Sequence, residues 1–96
     1  MAKLIWSPTA LADLEEICSY ISKDSEYYAR TFAQKVVALA EMIAQFPMAG
    51  RMVPEYQQKE LRERIYQNYR IVYRIRGGAV EIASITHGAR RLPDIS

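Results

Sequence analysis

The sequence predicts an α+β fold of order β-α-α-β-β-β, with a helical hairpin packed on one face of a mainly antiparallel sheet. Three observations predict it. Between Pro8 and Phe46 apolar residues recur in steps of three and four, the spacing of helices. From Leu61 onward the period changes to two, the spacing of strands. Two tight-turn pairs, Gln67-Asn68 and Gly77-Gly78, then divide that part into neighbouring strands. Helices followed by a run of strands segregate into layers.

Each element has a local cause. Lys3–Trp6 is a short apolar run that reads as a strand. Ser7-Pro8 opens the first helix, because serine caps free N–H groups and proline at the first helical position lacks only an N–H that would be unpaired anyway. Leu11, Leu14, Cys18 and Ile21 then mark its apolar face to about Lys23, with Asp13, Glu15, Glu16 and Ser19 elsewhere. Asp24-Ser25 offers a second cap, and Asp24 and Glu26 place negative charge at the positive end of the next helix. Tyr28, Phe32, Val36, Leu39, Ile43 and Phe46 form its apolar face, beside a stripe of small residues, Ala29, Ala33, Val37, Ala40 and Ala44, that admits a close neighbour. Pro47 ends it, and Pro47 to about Lys59 reads as loop. Leu61, Glu63 and Ile65 alternate with Arg62, Arg64 and Tyr66; Tyr69, Ile71, Tyr73 and Ile75 alternate with Arg70, Val72, Arg74 and Arg76; Ala79–Thr86 is the last strand. There is no repeat and no low-complexity segment.

At 96 residues, half of them apolar, the chain reads as a single domain over residues 1–96 with a thin core. That length excludes a large enzyme with separate cofactor and substrate domains. Cys18 is the one cysteine and His87 the one histidine, so neither an internal disulfide nor a zinc site is expected, and no cofactor is implied. No apolar stretch approaches the ~20 residues of a membrane span, and the start lacks a signal-peptide core; the expected location is the cytoplasm. Charge is divided along the chain. Residues 1–48 hold four basic against six acidic residues, whereas residues 49–96 hold eight arginines and Lys59 against five acidic residues.

Those arginines are the informative set: Arg51, Arg62, Arg64, Arg70, Arg74, Arg76, Arg90 and Arg91. Arg62 and Arg64 share a strand face, as do Arg70, Arg74 and Arg76, and adjacent strands are expected to join them into one cationic surface away from the helices. The planar guanidinium suits phosphates and carboxylates. A surface charged only for solubility would mix lysine and glutamate more freely, while the net charge of +2 is small for a protein that binds naked nucleic acid by charge alone. The familiar spacings of phosphate loops, metalloproteases and serine hydrolases are absent. Glu15-Glu16 reads as a solvated helix face, Cys18 as a small buried hydrophobe, and Trp6, Tyr28, Tyr69 and Tyr73 as packing. His87, at the end of the last strand beside Arg90 and Arg91, could move a proton or simply cap the strand. Tyr66, on the arginine face, could stack on a base or handle a proton.

Read together, these motifs resemble the RelE/ParE-type toxins of bacterial toxin–antitoxin modules. The resemblance rests on Trp6-Ser7-Pro8 with Ala12-Asp13-Leu14, Ile17 and Tyr20-Ile21; on Phe46-Pro47 with Gly50-Arg51; on Leu61-Arg62-Glu63 followed by Asn68-Tyr69-Arg70-Ile71-Val72-Tyr73-Arg74-Ile75; and on Ile85-Thr86-His87 with Arg90-Arg91 and Pro93. It implies a toxin neutralised by a cognate antitoxin whose acidic C-terminal segment covers it. One branch of the family cuts mRNA on the ribosome; the other poisons DNA gyrase. For the ribonuclease the resemblance points to Arg51, Arg70, His87 and Arg90, with Arg62 and Arg64 standing in for strand lysines. For target or antitoxin binding it points to Arg62, Arg64, Tyr66, Arg70, Arg74, Arg76, Arg90 and Arg91. No tyrosine follows Tyr73, and the tail His87-x-x-Arg90-Arg91-x-Pro93 is more like the gyrase branch, which has no firm catalytic residue.

Overall fold

The computed structural model describes residues 2–88. Strand β1 (Lys3–Trp6) leads into α1 (Pro8–Ser22) and α2 (Glu26–Gln45). A single 3₁₀ turn (Pro47–Ala49) and the two-residue β2 (Arg51–Met52) follow. Then come β3 (Leu61–Tyr66), β4 (Tyr69–Arg76) and β5 (Ala79–His87). The five strands lie in the order β1-β5-β4-β3-β2. Among the described residues only β1 and β5 run parallel, and the other three strand pairs are antiparallel. The expected α+β architecture is present, with β2 added where the sequence reads as loop.

Both helices start as expected. Ser7 Oγ accepts the Ala10 N–H at 3.0 Å, and Ser25 Oγ accepts that of Tyr28 at 3.2 Å. Ser7 does a second job: its hydroxyl donates to the Ala83 carbonyl at 2.9 Å. Ala83 is the extra residue of a bulge, because Tyr73 pairs with Ile82 whereas Val72 pairs with Ser84. The bulge reverses which residues of β5 face the helices. Val80 and Ile82 do so before it and Ile85 after it.

The hairpin packs on the face that carries Ile71, Tyr73, Val80 and Ile82, with Ala10, Phe32, Val36, Ala40 and Ile43 filling the interface. The apolar faces read from sequence are corrected at their ends. Leu11 is exposed, and Ala10 and Ile17 take its place at the core; Tyr28 and Phe46, at the two ends of α2, are 66% and 62% exposed. A helix outreaches the sheet it covers, so its terminal turns lose their partner. Cys18 is half-buried against the Ala29 carbonyl, and burial pushes its thiol pKa up.

The loop between β2 and β3 folds back over the other face of the sheet. Val53 and Tyr56 pack there against Leu61 and Val72, and the Ile75 N–H reaches the Glu60 carbonyl at 2.7 Å. At the sheet's centre, Tyr73 is fully buried, and its hydroxyl donates to the Pro47 carbonyl and accepts the Gly50 N–H. A side chain at position 50 would collide with that hydroxyl and with the Glu63 carbonyl, which accounts for the glycine.

Candidate functional site

The arginines do not form one surface. Gln67-Asn68 is a two-residue turn, Tyr66 opposite Tyr69, so even-numbered positions of β3 stand opposite odd-numbered positions of β4. Arg62 therefore faces Tyr73 and Arg64 faces Ile71, on the helix side of the sheet; Arg70, Arg74 and Arg76 point to the outer face with Leu61, Glu63 and Ile65. The single cationic face expected from alternation is thus corrected to two groups on opposite sides.

On the outer face a line of four charges alternates in sign. The Glu63 carboxylate, fully buried, bridges two arginines. Arg51 donates from Nε to Oε2 at 2.7 Å, and Arg70 from Nε to Oε1 at 2.7 Å. The other edge of the Arg70 guanidinium meets Glu55 in a two-bond fork, at 2.7 and 2.8 Å. Glu55 lies in the loop that folds over this face, so the fork straps the loop to the sheet. The bonds to Glu55, and then those to Glu63, hold the Arg70 guanidinium even more firmly protonated than usual, against the opposing effect of burial. Two carboxylates thus answer two guanidiniums, and only Arg51, its side chain 63% exposed, presents much surface to solvent. Arg74 lies 3.9 Å from Glu81. Arg76 is exposed.

On the helix side, Arg62 braces the chain around the 3₁₀ turn. It donates to the carbonyls of Lys59 at 2.8 Å, Gly50 at 2.8 Å and Met48 at 3.3 Å. Arg64 and Tyr66 are half-buried, and the Tyr66 ring packs on Phe32 with centroids 5.7 Å apart. Tyr66 is therefore on the face of Arg62 and Arg64 but not on that of Arg70. His87 also lies on the helix side, edge-on to Tyr69 at 5.8 Å. It lines a cleft of about 260 Å³ with Asp13, Glu16, Tyr20 and Tyr69. The Asp13 carboxylate accepts the Ile85 N–H at 2.9 Å, which ties α1 to β5 just past the bulge. Arg90 and Arg91 lie outside the described residues.

Of the residues read as a ribonuclease set, then, Arg51 and Arg70 meet through Glu63 on the outer face, and His87 stands on the other. Sequence reasoning missed Glu55 and Glu63 as partners. Glu63 carried a signal, since it falls in the alternating set with Leu61, diagonal to Arg70 across the turn. Glu55 carried none, because a loop residue's reach is not periodic.

Residues 4–92 match the family model described as the ParE toxin of the type II toxin–antitoxin system parDE. The chain is 35% identical over 91 residues to Toxin RelE2 of Caulobacter vibrioides, covering 94% of this chain and 99% of that protein. It is also similar in fold to a chain from the chromosomal ParDE system of P. aeruginosa, with a TM-score of 0.73 and 22% identity, over 91% of this chain and 96% of that one.

Proposed function

The chain belongs to the ParE toxin family of type II toxin–antitoxin systems, within the RelE/ParE superfamily, and from that premise we propose that it poisons DNA gyrase by binding and is silenced by a cognate antitoxin. The observation that carries the reading is the division of the arginines. Phosphodiester cleavage needs charge-stabilising and proton-moving groups around one reacting centre. Here Arg70 is closed off by Glu55 and Glu63 on one face, and His87 lies on the other. Binding makes no such demand.

A binding surface suited to the antitoxin lies where the hairpin ends. Phe46, Met48 and Met52 are 62%, 63% and 43% exposed. Arg51 stands within the same stretch, and Arg62 is held there by its bonds to the Met48 and Gly50 carbonyls. Flexible methionines beside guanidiniums suit an acidic segment with apolar anchors. Such a segment would order on binding.

Purified chain added to gyrase and relaxed plasmid should block supercoiling and trap cleaved DNA, and the cognate antitoxin should reverse both. The second reading, mRNA cleavage on the ribosome, draws on the similarity to Toxin RelE2. Cleavage of message on programmed ribosomes that His87→Ala abolishes, with gyrase untouched, would establish that reading and overturn the first.

A further inference from the structure

The hairpin's turn end has a character opposite to that of the methionine–arginine stretch. Tyr20, Tyr27 and Tyr28 are 69%, 69% and 66% exposed, an unusual display for a chain this small. Three clefts meet there. One, of about 260 Å³, lies between α1 and the end of β5, past Asp13, Glu16 and His87. A second, of about 550 Å³, follows α1 past Glu15 and Lys23. A third, of about 410 Å³, separates the helical turn from the β3–β4 turn, past Asp24, Tyr28 and Tyr66. Tyr20 lines all three.

Tyrosines with an apolar ring and a polar tip, set among connected concavities, have the composition of interface hot spots. The rim supplies the specificity. Asp13, Glu15, Glu16 and Asp24 outnumber Lys23, the one lysine or arginine lining these clefts among the described residues. Lys23 already shows how a cation is received: its Nζ stands 6.0 Å from the centre of the Tyr20 ring. We infer that this tyrosine surface docks a basic segment of a partner protein, with arginine or lysine side chains against Asp13, Glu16 and Asp24 and an apolar side chain among Tyr20, Tyr28 and Tyr66. From Asp13 to Ser22 the helix rises about 14 Å, which about four extended residues span. An acidic antitoxin segment is repelled here and attracted at Arg51 and Arg62, so the two ends serve different partners.

The test uses the full chain, isotopically labelled for NMR. It is titrated with a short synthetic peptide carrying arginines and leucines in a serine background, and separately with the same peptide bearing glutamate for arginine. The arginine peptide should shift the signals of Tyr20, Tyr28, Tyr69 and His87. Glu16→Lys and Tyr20→Ser should each weaken it about tenfold, the equivalent of about 1.4 kcal/mol, with an unchanged melting temperature. The glutamate peptide should leave those signals still and shift those around Arg51. Undisturbed tyrosine signals, equal affinity in the variants, or an equal response to both peptides would overturn the inference. Binding that appears only after removal of residues 89–96 would overturn it in favour of the chain's own basic end. Self-association lost in Tyr20→Ser would do so in favour of a second copy. The response around Arg51 reports separately on the antitoxin surface, so either reading can fail alone.

Discussion

The strap on the sheet's outer face and the tyrosine end of the hairpin both concentrate charge, and they dispose of it in opposite ways. Under the strap, Arg51, Glu63, Arg70 and Glu55 alternate in sign and satisfy one another, with Glu63 and Arg70 out of water. At the tyrosine end, Glu15, Glu16 and Asp24 face solvent beside exposed rings. Charge that is buried must be paired, so its removal is felt as stability. Charge left on a rim contributes little to folding and is free to recognise. Arginine number alone does not distinguish the two situations.

Substitutions should separate the regions by the size of their effect. Glu63→Ala leaves two arginines without their shared partner and should cost about 3–5 kcal/mol, read from urea unfolding; that is a large part of a small domain's total. A loss below about 1 kcal/mol would mean the line of charges is not cooperative. Gly50→Ala drives a methyl group into the Tyr73 hydroxyl and should cost about 1–3 kcal/mol. Ser7→Ala removes a helix cap and the bond to Ala83, and should cost about 1 kcal/mol.

A pH dependence belongs to the same buried side. Burial pushes the Tyr73 phenol above its ordinary value of 10.0. The unfolded chain then gives up that proton first as pH rises. The stabilisation is complete below pH 10.0 and is lost above it, as pH climbs towards the folded-state value. Tyr73→Phe should flatten that alkaline slope in pH-dependent unfolding. At the other end, Glu16→Lys and Tyr20→Ser should leave stability within about 0.5 kcal/mol of the parent. A larger loss in either would make the tyrosine end structural and erase the contrast.

The helical hairpin and the three long strands were legible because periodicity and capping residues act locally: Ser7, Ser25 and Pro47 bound the helices where expected. The division of the arginines was also legible in principle. A two-residue turn at Gln67-Asn68 fixes the register, and the register places Arg62 opposite Tyr73 rather than beside Arg70. Treating each strand's alternation separately hides this. The bulge at Ala83 was not legible. An extra residue leaves no mark on composition, and the alternation of Val80 and Ile82 runs straight into it. The fork from Glu55 depends on how the loop closes over Val72, which only the packed structure sets.

The pairing of β1 bears on how the chain is made. Strand β1 leaves the ribosome before the other described strands, and its one neighbour among them, β5, leaves after the other four. At ordinary synthesis rates the chain takes roughly 4–15 s to grow from Ser7 to Ala83, 76 positions on. Until then β1 has no ladder to join, and the Ser7 hydroxyl lacks the carbonyl that anchors the start of α1 to the sheet. A nascent chain that has not yet reached Ala79 holds the hairpin without the β5 strand it packs on. That interval gives an antitoxin already present in the cell time to meet the chain before its fold is complete.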